Sequence, residues 1–264
     1  MNHEKPPQKT PNAAILLIGN ELLSGKIQDE NAFYLSKRLR TLGVSLERIL
    51  VIPDQLETIA KEVLSLSETF DHVFTSGGVG PTHDDVTLEG VALGFNEPLI
   101  LEPQLHQLLQ DYFKDRLNEA HLRMAMIPEG STLLWTEGVP WPVYTYKNLY
   151  ILPGVPQVFR AKFEEIAPRF RGVAFHLRSV YLNAREGEIA ALLSDLESRW
   201  GVSIGSYPNL YDHLDFRVRV TIESQDAQSV DRAVEDLVES IERICQSDDQ
   251  HHVNLIVRVD DPLT

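Results

Sequence analysis

The run from Thr75 to Asp85, Thr-Ser-Gly-Gly-Val-Gly-Pro-Thr-His-Asp-Asp, holds the residue types with the clearest chemistry. It places a glycine-rich turn and two adjacent carboxylates directly after an apolar strand. Glycines let a backbone turn tightly and present its N–H groups to an anion, while carboxylates attract a hard divalent cation that can bridge to that anion. We therefore predict a metal-assisted phosphate site, with phosphate contacts from four residues of the run: Gly77, Gly78, Gly80 and Thr82.

Asp84 and Asp85 are the preferred candidates both for catalysis and for metal binding, with Glu21 as a third metal ligand. Acids near several strand ends would repel a phosphate unless a cation lay between them. That cation would polarise a phosphoryl oxygen and activate water, leaving one carboxylate to orient the water. Glu21 and Asp54 each remain open between metal ligand, acceptor for a ribose hydroxyl and solvated loop acid.

The simpler interpretation of the same run is a strand-to-helix turn in which Thr82 or Asp84 caps the following helix. We expect this capping role to coexist with function. The run lacks the lysine and spacing of a P-loop and the acidic residue of a dinucleotide fingerprint. His83 is interpreted as a partly exposed loop histidine rather than as a phosphate contact.

Three further loops follow predicted strands and carry candidate substrate contacts. Open α/β sheets bind ligands in the crevice outside the carboxyl ends of their strands, so the loops should converge with the glycine turn. The candidates in these loops are Gly19, Glu21, Ser24, Asp54, Pro153 and Gly154.

Residues 13–172 alternate apolar, strand-like runs with helical patterns, which predicts a layered, mostly parallel α/β sheet. Ala13 to Ile18 is continuously apolar, as expected for a strand covered on both faces. Residues 102–118 predict one helix, and the segment from Met126 to Trp141 is broken by prolines and glycines. Residues 173–264 change to a β-α-β-β-α order, which predicts a second, smaller α+β domain. Residues 1–12 are predicted to be a disordered lead-in.

The composition is that of a soluble globular protein, and the lack of an apolar secretory signal in residues 1–12 predicts a cytoplasmic location. The chain has 264 residues, and no stretch reaches the roughly 20 apolar residues that span a bilayer. With 39 acidic and 24 basic residues the net charge is −15, which disfavours nucleic acid as a partner. A small anion remains compatible, because loop amides, helix N-termini and a bound cation act at short range.

Several ordered motifs make the chain resemble CinA-like proteins. Gly19 to Asn31 matches their signature G-x-E-[LI]-L-x-G-x-x-x-D-x-N, and Gly77 to Thr87 matches G-G-x-G-P-T-x-D-D-x-T. Leu152 to Pro156 resembles their third motif, and Gly205 to Pro208 resembles the G-S-Y-P of their smaller second domain. The first domain is thus similar to the molybdopterin-binding domain of molybdenum-cofactor biosynthesis proteins. The pattern resembles still more closely the amino-terminal domain of eukaryotic FAD synthases.

The resemblance implies hydrolysis of a nucleotide pyrophosphate, FAD or ADP-ribose, to AMP and a second monophosphate. It also implies a divalent metal, cobalt, manganese or magnesium, with help from potassium. It suggests a homo-oligomer, with a dimer favoured. Because the chain ends before any synthase domain and lacks a deamidase domain, we expect FAD synthesis and nicotinamide mononucleotide deamidation to be missing.

Two other functions stay open from the sequence. The same cleft would serve a non-catalytic protein that binds molybdopterin or a related pterin phosphate. A third interpretation is an oligomeric partner protein whose cleft is vestigial. A phosphate turn recognises the shared phosphate group, so these residues do not choose among FAD, ADP-ribose and molybdopterin.

Overall fold

The computed structural model describes residues 10–136, 139–210, 215–247 and 255–260. The chain divides into two compact units, Met1–Val173 and Ala174–Thr264. Most of the predicted lead-in, residues 1–9, lies outside the described residues, and Asn12 already begins the first strand.

The first unit alternates strands and helices along the chain. Its elements are β1 (Asn12–Ile18), α1 (Asn20–Leu23), α2 (Asn31–Thr41), β2 (Ser45–Ile52), α3 (Leu56–Thr69), β3 (His72–Ser76), α4 (Thr87–Phe95), β4 (Leu99–Leu101), α5 (Pro103–Phe113), α6 (Glu119–Arg123), β5 (Met126–Pro128), β6 (Thr132–Thr136), β7 (Val139–Tyr146), β8 (Leu149–Leu152) and α7 (Pro156–Ile166).

The central sheet of this unit is mostly parallel, as predicted. It has six strands in the order β2-β1-β3-β8-β7-β6. The first four strands run parallel, whereas β7 and β6 are antiparallel to their neighbours. Strand β1 lies between β2 and β3, so the chain reverses its direction of sheet growth there. This is the position at which open α/β sheets form a ligand crevice.

The two faces of β1 are buried in two separate apolar layers, which explains its continuous apolar sequence. Alternate residues, represented by Leu16, pack with Ile59 of α3 and Val91 of α4. The residues between them, represented by Ile15, pack with Leu35 of α2 and Phe163 of α7. The sheet is therefore held between two helical layers that keep its strand ends in place.

The sequence-based prediction fails locally in three places. The residues after Gly19 form the short helix α1 rather than a loop. The predicted helix over residues 102–118 ends at Phe113, because Lys114 has a φ of 49° and cannot continue it. The segment broken by prolines and glycines contains strands β5 and β6 and the start of β7, since tertiary pairing outweighs local turn signals there.

The second unit has the predicted β-α-β-β-α order, followed by one further strand, and it has its own core. Its elements are β9 (His176–Leu182), α8 (Glu186–Trp200), β10 (Ser203–Pro208), β11 (Val218–Ser224), α9 (Ala227–Ser247) and β12 (Ile256–Asp260). The sheet order is β10-β11-β9-β12, and all its pairs are antiparallel. Residues such as Leu196 and Val220 are fully buried between this sheet and its helices. Across the described ranges, no helix has the length and apolar character needed to cross a membrane.

Candidate functional site

A cavity of about 600 Å³ opens in the first unit at the carboxyl ends of the parallel strands. It follows the reversal of sheet order, where Ile18 ends β1 and Ser76 ends β3. The structure brings ten predicted site residues to its wall: Glu21, Asp54, Gly77, Gly78, Gly80, Thr82, Asp84, Asp85, Pro153 and Gly154. Gly19 and Ser24 do not line it.

The glycine turn is possible only because two of its residues lack a side chain. Gly77 has a φ of 106°, and a Cβ there would overlap the carbonyl oxygen of Ile18. Gly78 has a φ of 66°, and its Cβ would overlap the hydroxyl of Thr87. That hydroxyl donates to the Gly77 carbonyl at 2.9 Å, and the Thr87 N–H donates to the Gly78 carbonyl at 3.0 Å. The first residue of α4 thus stabilises the turn through two hydrogen bonds to its carbonyl groups.

Some backbone N–H groups of the turn donate hydrogen bonds within the protein, and others do not. The Gly77 N–H donates to the Leu152 carbonyl at 3.2 Å, and the Thr82 N–H donates to Asp85 Oδ2 at 2.8 Å. Within the described part of the chain, the N–H groups of Gly78, Val79 and Gly80 have no protein acceptor. All three residues line the cavity, so the Gly77 N–H supports the turn while the N–H groups of its neighbours are available as donors.

Thr82 joins the two adjacent carboxylates of the run. Its hydroxyl lies 2.7 Å from Asp84 Oδ1 and also makes a short contact with Asp85 Oδ2. A hydroxyl carries one proton, so it satisfies one of these acceptors at a time. The hydrogen bond from Thr82 lowers the pKa of Asp84, which keeps that exposed carboxylate charged. Two negative oxygens therefore share one donor, an arrangement that a cation would stabilise.

Thr82 and Asp84 do not cap α4, contrary to the prediction. The helix begins at Thr87 after Val86, and no side chain accepts a hydrogen bond from its first turn. The side chains of Thr82 and Asp84 bond to each other within the loop instead. His83 is exposed over 97% of its side chain and lies outside the cavity wall, in agreement with its interpretation as a loop residue.

Arg123 braces the run from the other side and was not anticipated from the sequence. Its guanidinium donates to the carbonyl oxygens of Thr82 at 3.0 Å and Asp85 at 2.9 Å, and to Glu89 at 3.0 Å. The planar fork of an arginine suits such multiple acceptors. Its position in α6, far along the chain, offered no sequence signal.

The first two loops are tied together by Asp54. Its Oδ2 accepts from the Asn20 N–H at 2.7 Å, while the Gly19 N–H donates to the Ile52 carbonyl at 3.1 Å. The carboxylate of Glu21 lies against Gly19, in space that a Cβ would occupy. Gly19 therefore acts by making room for Glu21. Ser24 ends α1, and its hydroxyl donates to the Glu21 carbonyl at 3.3 Å.

Asn31 connects the strand ends and is a site residue that the sequence-based list omitted. It is only 3% exposed, and its Nδ2 donates to the Ser76 hydroxyl at 2.9 Å and the Gly154 carbonyl at 2.8 Å. Its Oδ1 is buried and has no partner among the described residues. Asp29 orients it by accepting from the Asn31 N–H at 3.1 Å. Its place at the end of the first family motif was the available signal.

The far wall of the cavity is largely apolar and aromatic. Trp141 donates its indole N–H to the Tyr144 hydroxyl, which donates to the Met124 carbonyl at 3.2 Å. Burial raises the pKa of Tyr144, so the phenol stays neutral. Lys162 also lines this wall, although it belongs to a helix whose sequence gave no functional signal. The cavity is thus lined both by polar loop residues and by aromatic side chains.

The acids fit a metal ion that takes most of its ligands from water and substrate. In the described ranges no three His, Cys, Asp or Glu side chains form a group able to hold a metal ion. Asp84 and Asp85 nevertheless approach each other through Thr82. Magnesium-type sites commonly use one or two carboxylates and complete the shell with phosphate and water. The pair fits such an ion, and Glu21 is not part of a preformed three-acid cluster.

The fold and the cavity define an α/β protein with a cavity of ligand size at the ends of its parallel strands. Residues 14–172 match the family described as "Probable molybdopterin binding domain", and residues 174–257 match "FAD synthase, middle domain". The chain belongs to the first family over most of its length. Its second unit is of the kind found in the middle of FAD synthases.

Relatives and solved structures agree with this assignment. A protein of Archaeoglobus fulgidus is 35% identical over 85% of this chain and 96% of its own length. A "Probable FAD synthase" of Caenorhabditis briggsae is 32% identical over 86% of this chain, which spans only 49% of that protein. The solved structure of CinA from Thermoplasma acidophilum has a TM-score of 0.56 and 28% identity, covering 61% of this chain and 99% of its own. The resemblance to CinA-like proteins and FAD synthases is confirmed.

Proposed function

We propose that this protein is a metal-dependent hydrolase of nucleotide pyrophosphates that splits FAD or ADP-ribose into AMP and a second monophosphate. One observation carries the proposal: the available amides of Gly78, Val79 and Gly80 line the same cavity as Asp84 and Asp85. Such a site binds a diphosphate and also supplies the acids that its hydrolysis needs.

The size and polarity of the cavity support a nucleotide substrate. About 600 Å³ lies within the range of small-molecule sites, roughly 300–1,000 Å³. Trp141 and Tyr144 provide aromatic surface for a planar ring, while the glycine turn provides donors for phosphate. FAD and ADP-ribose share the adenosine diphosphate part and differ in the group attached to it.

The reaction adds one water across the P–O–P bridge. The water oxygen forms a bond to one phosphorus, the bridging oxygen leaves with the other phosphate, and the products are AMP with FMN or ribose 5-phosphate. Asp84 and Asp85 would hold a divalent cation, whose chemistry is to neutralise the diphosphate and act as a Lewis acid. We assign acceptance of the water proton to Asp85 Oδ1, since Thr82 contacts only Oδ2.

The test is an assay of purified protein against FAD, ADP-ribose and a panel of other dinucleotides. Each substrate is incubated with cobalt, manganese or magnesium, with and without potassium, and AMP is measured by chromatography. We expect AMP and its partner monophosphate in equal amounts, and no product in EDTA. The absence of turnover across the whole panel would refute the proposal.

A second candidate function is the binding of molybdopterin or a related pterin phosphate without chemistry, and the description of the matched family favours it. The same glycine turn would hold the pterin phosphate. Fluorescence of a pterin that co-purifies with the protein and with Asp85→Asn, together with no AMP from any substrate of the panel, would support this function over hydrolysis.

We also propose that the protein forms a homo-oligomer, with a dimer favoured, on the strength of its relation to CinA-like proteins. Light scattering during size-exclusion chromatography measures the molar mass directly. A mass of one chain at micromolar concentration would contradict this expectation.

A further inference from the structure

Lys162 is a buried basic residue on the wall of the cavity. It extends from α7, is only 4% exposed, and donates from Nζ to the carbonyl oxygens of Trp141 at 2.6 Å and Pro142 at 2.7 Å. A lysine ammonium has three N–H donors, so one remains. Because Lys162 lines the cavity, a bound ligand is a natural acceptor for that donor.

Lys162 has no carboxylate to balance its charge among the described residues. Its two hydrogen-bond acceptors are neutral carbonyl groups, and burial alone lowers its pKa to about 8. An uncompensated charge in a protein interior is costly, and such charges are usually paired. Lys162 is therefore suited to an anionic partner from outside the chain.

The ionisable groups around the cavity make this cation distinctive. Lys162 is the one Lys or Arg among the lining residues that the structure describes. Six acids line the same cavity: Glu21, Asp29, Glu30, Asp54, Asp84 and Asp85. An anion entering the site would meet repulsion from these acids. Lys162 provides a compensating positive charge that is part of the protein itself.

The fold brings Lys162 to the same edge of the sheet as the glycine turn. Tyr144 of β7 pairs with Ile151 of β8, so Pro142, two residues earlier, lies beside the end of β8. At that end, a Cβ on Gly154 would lie 3.4 Å from the α-carbon of Gly77. The carbonyl groups that hold Lys162 are thus part of the strand-end edge from which the turn emerges.

We propose that Lys162 is a ligand-contacting residue whose third N–H binds an anionic phosphoryl oxygen of the bound nucleotide diphosphate. The proposal rests on the proposed function for the identity of this ligand. A ring carbonyl oxygen near the aromatic side chains would be the other possible acceptor. A phosphoryl oxygen is favoured because charge-assisted hydrogen bonds between an ammonium and an oxyanion are the stronger kind.

Binding in EDTA tests this contact without turnover. Affinities of the full chain for ADP-ribose, FAD and inorganic pyrophosphate are measured by calorimetry for the wild type and for Lys162→Met. We expect the variant to bind all three about 10- to 100-fold more weakly, the worth of one hydrogen bond to a charged group. Lys61→Met is the matched control, because that side chain is 80% exposed on α3 and should leave affinity unchanged.

A second variant separates the contact from the fold. Lys162→Met leaves the Trp141 and Pro142 carbonyls without donors, whereas the amide of Lys162→Gln can still donate to them. Thermal unfolding establishes that each variant is folded, and Lys162→Gln should lose affinity as Lys162→Met does. Unchanged affinity for pyrophosphate and ADP-ribose in the folded variants would overturn the proposal. So would a loss confined to FAD, because that result assigns the lysine to the flavin ring.

The result also separates this inference from the proposed hydrolysis. If the wild type binds these anions but never hydrolyses them, weaker binding by the variants supports the lysine contact while the enzymatic function fails. If the wild type hydrolyses them and the variants bind normally, the contact fails alone. A wild type that binds none of the three ligands overturns the contact as well.

Discussion

At the scale of single residues, the hydroxyl of Thr82 links the carboxylates of the two adjacent acids. It contacts both Asp84 and Asp85, although it has one proton to donate. Two carboxylates in such an arrangement gain most from a cation, or from a proton shared during reaction. In the proposed hydrolase, the two acids would act together because of this shared partner and not because they are adjacent in sequence.

Asp85→Asn should lower hydrolysis of ADP-ribose by about 100-fold or more, because the amide cannot accept the proton of water. Affinity for ADP-ribose in EDTA should not fall, because the loop N–H groups are unchanged and the substitution removes one charge that repels the phosphates. Steady-state kinetics and calorimetry measure the two quantities. Asp115→Asn, an exposed substitution outside the cavity wall, is the control. Equal activity in both variants would remove Asp85 from the mechanism.

Lys162 makes a distinct contribution to the pH dependence of stability in the absence of ligand. Burial lowers its pKa from 10.5 to about 8. Below pH 8 both the folded and unfolded chains carry the proton, so the cost of burying the charge is present in full. Above that pH the folded chain loses the proton first, and the free energy of unfolding gains a positive slope that continues to pH 10.5.

Urea unfolding of the wild type and Lys162→Met between about pH 7.5 and 9.5 measures this contribution. The difference in unfolding free energy, wild type minus variant, should rise with pH. Tyr144 acts in the opposite direction only at higher pH, because burial raises its pKa above the ordinary 10.0. A difference that stays constant or falls with pH would show that the lysine is not buried as a cation.

At the scale of elements, the glycine turn is shaped by close backbone contacts. Gly77 and Gly78 both have positive φ, and each approaches a neighbouring group too closely for a side chain. Gly25 has a similar φ of 70°, but a Cβ there would meet nothing within 4 Å. Comparing Gly77 with Gly25 therefore separates the cost of a positive φ from the cost of a steric overlap.

Gly77→Ala should destabilise the protein by at least about 2 kcal/mol more than Gly25→Ala, because it adds overpacking to the cost of the left-handed backbone. Urea unfolding measures both variants. Gly25→Ala should lose about 1 kcal/mol, the cost of a side chain at positive φ. Similar losses of unfolding free energy in the two variants would mean that the backbone at the end of β1 moves to accommodate the added methyl group at little cost.

Arg123 is a positioning residue that links α6 to the loop carrying the acids. Arg123→Met should lower the turnover number for ADP-ribose by about 10- to 100-fold through misplacement of Asp85, with partial recovery in Arg123→Lys. Steady-state kinetics measure this effect. Arg116→Met is the control, because Arg116 is an exposed arginine that lies shortly before Arg123 in the chain. Full activity in Arg123→Met would show that the loop keeps its shape unaided.

At the scale of the whole molecule, the two units have separate cores, and every described residue that lines the cavity belongs to the first unit. Leu196→Ala, at a fully buried position in the second unit, should cost about 2–5 kcal/mol of that unit's stability. Affinity of the folded protein for ADP-ribose should be unchanged.

Scanning calorimetry and binding calorimetry at low temperature measure these effects, with Leu210→Ala as a control at a side chain that is 87% exposed. Only the transition of the second unit should shift in Leu196→Ala. Loss of nucleotide affinity in the folded variant would show that the second unit contributes to binding.

Most elements could be predicted because their patterns are local. Strand β1 covers the run from Ala13 to Ile18 that the sequence predicts as a strand, since a continuous apolar run is a local signal. Strands β5 and β6 were not predicted, because their pairing depends on neighbours and not on local propensity. Capping by Thr82 was predicted wrongly, since its acceptors lie within the loop.

The sequence by itself determined the α/β class, the second unit and the loops that carry the candidate chemistry. The glycine turn and its acids lie in one continuous run of residues, so they can be recognised from residue types and spacing alone. Only the tertiary structure decided which donors are available, and it added Asn31, Arg123 and Lys162 to the site or its support. Their partners are distant in the chain, and only the packed sheet and its helices bring them together.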